Sequence, residues 1–129
     1  MITILPPKEH ALATELAETI RTGYGLPEIF EDFSLITTGV PDPTHNYENA
    51  KAFVEKVLDS FDEKLPAEAR PVIINAVTMQ LLIPESTLRN YINDTKNENN
   101  AIDLKKTAEY FHVSPKTLFR RGQEIGLFS

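Results

Sequence analysis

"VIINAVTMQLL", Val72 to Leu82, decides the fold. Wound as a helix, it places Val72, Ile73, Ile74, Ala76, Val77, Met79, Leu81 and Leu82 on every side, with no polar stripe. A helix that is apolar all round has no face to give to water, so neighbouring elements must cover it. It falls far short of the ~20 residues that cross a bilayer, and no other apolar run in the chain approaches that length. The reading is a central helix that starts near Ala67 to Pro71, after Pro66, and reaches Leu82. Asn75, Thr78 and Gln80 are then the polar groups that need partners or an exposed edge.

The covering elements can be read outward from there. After Pro6-Pro7, Leu12, Ala13, Leu16, Ala17 and Ile20 share one face of a helix from about Lys8 to Thr22, with Gly23 as its stop. Between Tyr47 and Leu65, the residues Phe53, Val54, Val57, Leu58, Phe61 and Leu65 form a stripe opposite Glu55, Lys56, Asp59 and Asp62. Pro66 ends that helix. Pro84 opens a further one, Glu85 to about Asn93, with Leu88, Tyr91 and Ile92 inward. Two short helices close the chain, about Ile102–Phe111 and Ser114–Ile125. Ser114 is the N-cap of the second and Pro115 its first-turn residue.

Residues 24–47 break the helical pattern with two glycines and three prolines. They are expected to form a loop that packs Phe30, Phe33 and Leu35 inward, with at most one short strand pair in 30–45. "NDTKNENN" reads as a surface loop. The fold class is therefore mostly α, about six helices in one compact domain. Residues 1–100 form the helical body and 101–129 a helix-turn-helix-like hairpin. Val77, Leu81, Phe53, Val57 and Leu118 are expected to meet in the core that joins them.

Composition narrows the chemistry. At 41% hydrophobic and 25% charged the chain is of ordinary globular type. With no cysteine it can form neither disulfides nor thiolate metal sites. "MITILPPKEH" lacks the basic region and long apolar stretch of a signal peptide, so a cytoplasmic protein is expected. Charge is uneven. Residues 1–70 hold 13 acids and 6 bases, while 71–129 hold 6 acids and 7 bases.

The hairpin "AEYFHVSPKTLFRRGQEIGLF", Ala108 to Phe128, raises the possibility of DNA reading. Leu104, Ala108, Val113 and Leu118 stand where the two helices of a helix-turn-helix touch. Lys116, Thr117, Arg120 and Arg121 lie along the second helix, with Lys105 and Lys106 on the first, as the candidate DNA- or partner-contact residues. Against DNA stand His112 at the turn position usual for glycine, Gly122 inside the second helix, and the small number of bases available for phosphates.

"INAVTMQLLIPESTLRNYI", Ile74 to Ile92, followed by "DLKKTAEYFHVSPKTLFRRGQEIGLF", resembles the C-terminal half of the ImmA/IrrE metallopeptidase family. The matching positions are Asn75, Leu81, Leu82, Ile83 and Pro84, then Phe111, Val113, Ser114, Leu118, Arg121, Ile125, Gly126 and Leu127. About 55 residues carry the likeness. The first helix and "YGLPEI" are similar to the family's N-terminal segment more weakly.

That family's zinc site needs H-E-x-x-H, with the glutamate as general base. Here the approach to it is "HNYEN": His45 is present, Asn46 stands for the base and Asn49 for the second histidine. The third ligand falls on Ile73, which binds no metal. His10, His45 and His112 are otherwise scattered, and no nucleophile motif or phosphate-binding glycine loop occurs. The resemblance implies a non-catalytic regulatory protein without zinc or other cofactor, of a phage or mobile element, that acts by binding a repressor or another regulator. Its alternatives are a helix-turn-helix transcription regulator and an acidic inhibitor of a nucleic-acid-binding protein.

Overall fold

The computed structural model describes residues 7–29, 32–42, 45–60, 67–95 and 102–128. Seven helices lie among them and no strand: α1 Pro7–Gly23, α2 Ser34–Thr37, α3 Asn46–Asp59, α4 Arg70–Leu82, α5 Glu85–Thr95, α6 Leu104–Tyr110 and α7 Pro115–Glu124. The central place goes to α4, against which α1 and α3 pack most extensively. From Ile73 onward every residue of α4 except Asn75 is buried. One continuous core joins Ile20 of α1, Val54 and Val57 of α3, Val77 and Leu81 of α4, Leu88 of α5, Ala108 of α6 and Leu118 of α7. Each large aliphatic side chain so buried stabilises the fold by ~1.5–3 kcal/mol. Phe53 is only partly buried and packs its ring 5.8 Å from that of Phe33.

The polar residues of α4 find the partners they require. Thr78 Oγ1 donates to the Ile74 carbonyl at 2.7 Å, and Gln80 Nε2 donates to Thr14 Oγ1 at 2.8 Å. The last carbonyls of a helix lack intrahelical donors, and here two arginines supply them. Arg21 Nη2 reaches the Gln80 and Leu81 carbonyls at 3.1 and 3.0 Å. Arg121 Nε reaches the Ile83 carbonyl at 3.0 Å. Two guanidinium charges thus stand at the negative end of the α4 dipole.

Three features of the body differ from expectation. No strand forms in the described part of 30–45, within the expected limit of at most one pair, but a one-turn helix, α2, stands where a loop was expected. Its backbone closes on Ser34. Ser34 Oγ donates to the Val40 carbonyl and accepts from the Asp42 amide, both at 2.7 Å, so no second strand is needed to satisfy the segment. Leu35 points out, at 43% exposure, although Phe33 is fully buried as expected; Phe30 lies outside the described residues. Helix α3 ends at Asp59 rather than Leu65, with Ser60 Oγ donating to the Val57 carbonyl at 2.6 Å. Phe61 and Leu65 lie outside the described residues.

In the hairpin, Asp103 caps α6 by accepting from the Lys106 amide at 3.1 Å, and Ser114 caps α7 by accepting from the Thr117 amide at 3.2 Å. Both helices end the same way. His112 has φ 57° and Gly126 φ 80°. The next residue's amide bonds five residues back, Val113 to Ala108 at 3.0 Å and Leu127 to Gly122 at 2.7 Å. This closure needs a left-handed residue, which glycine supplies freely and histidine at a cost of ~1–2 kcal/mol.

Gly122 has a packing reason to be glycine. The Phe128 ring lies over its Cα, where a Cβ would collide, and stacks on Phe119 at 5.6 Å. Alanine in a helix interior normally gains ~1 kcal/mol over glycine. Here Gly122→Ala is expected to lose ~1–3 kcal/mol through overpacking. Thermal melts of the double mutant supply the check: in a Phe128→Ala background the same change should become stabilising.

Candidate functional site

The outward face of α7 does not stand clear of the protein. Lys116, Phe119, Arg120, Gln123 and Glu124, spaced at helical intervals, form one wall of a groove of about 870 Å³. The N-terminal half of α4 contributes Pro71, Val72, Asn75 and Ala76. From α3 come Tyr47 and Lys51, one turn apart, and from α1 His10 and Ala13. The apolar residues at its mouth are partly open to water: Val72 is 45% exposed and Phe119 38%.

Arg121 belongs to the floor of this groove rather than to the surface. It is 3% exposed. Its Nε and Nη2 donate to the Ile83 carbonyl at 3.0 Å and to Gln80 Oε1 at 2.9 Å. Burial lowers its pKa to about 10, partly offset by Glu124 and Glu85. Arg120, one residue earlier, keeps 63% of its side chain exposed and lies 3.7 Å from Glu124. The other contact candidates are dispersed. Lys116 lines the groove. The Thr117 hydroxyl is 2.9 Å from the Ser114 hydroxyl. Lys105 and Lys106 are exposed on α6 and are not among the groove residues.

A chain of polar contacts crosses the groove. The Tyr47 hydroxyl hydrogen-bonds Asn75 Oδ1, and Asn75 Nδ2 donates to Glu124 Oε1 at 3.2 Å. Burial raises the pKa of Glu124, against the pull of Arg121, Asn75 and Arg120. Burial also raises that of Tyr47. Beside the groove, His10 Nε2 lies 3.2 Å from Glu85, which accepts from Arg89 Nε at 3.2 Å. Burial pushes the Glu85 carboxyl up, but its bonds to Arg89 and His10 together hold it below the usual range. Arg89 Nη2 continues to the Ile125 carbonyl at 2.8 Å and so ties α5 to the end of α7.

The positions that correspond to the peptidase ligands are spread apart in character. His45 is exposed, and Asp42 at 2.8 Å raises its pKa. Asn46, at the place of the base, is fully buried. Its Oδ1 accepts from the Phe33 amide at 2.6 Å and its Nδ2 donates to the His112 carbonyl at 2.7 Å. Ile73 is 2% exposed within the core. Among the described residues no three His, Asp or Glu side chains gather as a metal site would require.

Among the residues matched to the family, Leu81, Leu82, Phe111 and Leu118 are buried core, and Gly126 is the left-handed turn after α7. Pro84 and Val113 are half-buried, and Ser114 is the cap already described. Sequence reasoning placed Asn75 in the matched motif but did not foresee its partners Tyr47 and Glu124. Nor did it foresee the groove, because its walls come from four helices distant along the chain. No helix among the described residues is long and apolar enough to cross a membrane. Comparison of the chain with protein-family models, with curated proteins and with solved structures finds no match.

Proposed function

We propose that the chain is a non-catalytic regulatory protein that binds another protein, with the groove between α4 and α7 as its contact surface. One observation carries this reading: Lys116, Phe119 and Arg120 open into a concavity shared with α1, α3 and α4. A DNA-reading helix presents its contact residues to the major groove, whereas Lys116, Phe119 and Arg120, though exposed, border a concavity whose other walls are the protein's own α1, α3 and α4. The burial of Arg121 removes a further cation from any such contact. The net charge of −6 also opposes approach to a polyanion.

The likeness to ImmA/IrrE proteins fits the same reading. The residues at the base and third-ligand positions, Asn46 and Ile73, are committed to internal bonding and packing. A scaffold of that kind holds a partner without cleaving it, and the resemblance suggests a repressor or another regulator as that partner.

The test has two arms. Anisotropy of a labelled duplex at about 50 and about 200 mM salt is expected to give weak binding that does not depend on Arg120. Saturable DNA binding with a steep salt slope, lost in Lys116→Ala and Arg120→Ala, would sink the proposal. In the second arm a protein retained from host extract by the wild-type chain should be lost by Val72→Asp, whose site is exposed enough to leave the fold intact.

A further inference from the structure

We infer that the groove takes an acidic segment of a partner protein bearing one large apolar side chain, its acids meeting Lys51, Lys116 and Arg120 and its apolar group seating against Val72 and Phe119. This rests on the protein-binding reading above and adds the chemistry of the partner.

Charge complementarity carries it. The groove presents three exposed cations, Lys51, Lys116 and Arg120, and one carboxylate, Glu124, with Arg121 buried and bonded beneath them, whereas the chain as a whole is −6. A local reversal of sign on an acidic surface selects a partner that carries its negative charge locally. Glu124 does not cancel the effect. Its side chain is 19% exposed and is occupied by Asn75 at 3.2 Å and Arg120 at 3.7 Å. The Arg120 guanidinium remains open to a second carboxylate, and Lys51 and Lys116 are exposed and show no ion pair among the described residues.

Size and shape favour a segment over a whole face. About 870 Å³ falls within the ~300–1,000 Å³ of ordinary ligand clefts, enough for a few side chains. Val72 on α4 and Phe119 on α7 give opposite walls an apolar edge. Rim charges act mainly on association rate and salt dependence, so a buried apolar anchor supplies most of the affinity. A duplex offers phosphate charge but no such anchor.

The experiment uses the full chain and short labelled synthetic peptides in an anisotropy titration. One peptide alternates Glu and Asp around a single Leu. Its controls lack the Leu, carry Gln for the acids, or carry Lys for the acids. The acidic anchored peptide should bind with Kd on the order of 10–100 µM, and its affinity should fall with salt. Lys51→Glu with Lys116→Glu should weaken it about tenfold while admitting the Lys peptide, and Val72→Ser should weaken it about tenfold. All three sites are exposed, so the melting temperature should hold.

Equal binding of the Gln peptide would overturn the acidic partner and leave the groove reading standing. Binding of a duplex alone, abolished by the same charge reversals, would overturn both. Self-association in sedimentation that the charge reversals abolish would make a second copy the occupant and overturn the inference. No binding by any peptide would overturn it too, while co-purification with the Val72→Asp control still judges the groove.

Discussion

Replacing Arg121 with alanine is expected to lower the unfolding free energy by about 3–5 kcal/mol, whereas Arg120→Ala should change it by less than about 0.5 kcal/mol. The two residues are adjacent in sequence and alike in chemistry, so the difference comes from where α7 puts them. Arg121 is 3% exposed, and its guanidinium bridges the Ile83 carbonyl and Gln80 Oε1. Removal strands a carbonyl just past the end of α4 and opens a void where the side chain ran. Arg120 holds Glu124 at 3.7 Å from an exposed position, a geometry that contributes little.

Burial of Arg121 works against this gain, since it lowers the pKa to about 10. A base whose folded pKa lies below its unfolded value disfavours folding while charged, and the penalty is relieved only as pH climbs past the folded value. Between about pH 6 and about pH 8 the group stays charged in both states, so the loss in Arg121→Ala should not vary with pH there. Arg121→Lys should fall between, because an ammonium cannot present two donors in a planar fork. Urea unfolding of the three variants decides it, and a loss below about 1 kcal/mol for Arg121→Ala would mean the bridge is not a structural tie.

How far the chain could be read in advance follows from the range of each signal. The all-round apolar character of α4 is a local property with one packing solution, and it forced the central position that the structure has. The caps at Ser114 and the proline after it act within one turn, so they too were legible. Arg121 had two readings, a contact residue on the second helix and, from the family likeness, a scaffold arginine that caps a carbonyl within the fold; its bond to the Ile83 carbonyl fits the second. Only the tertiary fold brings the end of α4 to it. Leu35 and the helix at Ser34–Thr37 escaped for a related reason. Phe33 to Thr38 has strand-like composition, but Ser34 bonds to Val40 and Asp42 close the segment on itself. The groove had no local signature at all, being made of side chains from four helices.

Asn46 is the residue whose importance the sequence hid most completely, and its loss should be severe. Read against a peptidase motif, it is an asparagine where a glutamate would work. In the fold its amide joins two backbones, the Phe33 amide at 2.6 Å and the His112 carbonyl at 2.7 Å, with no exposure. Asn46→Leu keeps the volume and removes both hydrogen bonds that tie the start of α3 to these two backbones. With two buried hydrogen bonds broken at ~1–3 kcal/mol each, the expected loss is about 2–5 kcal/mol in urea unfolding.

Asn46→Asp separates the two bonds. The carboxylate still accepts from Phe33 but turns an oxygen toward the His112 carbonyl, so its charged form is disfavoured and its folded pKa rises. Its deficit relative to wild type should therefore be largest near pH 7 and shrink toward about pH 4, as the acid becomes a donor again. His45→Ala, next door and exposed, should leave the unfolding midpoint unchanged.

The effect should reach function as well. Asn46 begins α3, and the next turn presents Tyr47 and Lys51 to the groove, while its partner His112 is the turn that sets α7 against α6. Loosening that tie frees two walls of the groove from one another, so Asn46→Leu should weaken capture of the acidic peptide even at temperatures where the chain remains folded. Undiminished peptide binding by a destabilised but folded Asn46→Leu would show that the groove is held by α4 alone.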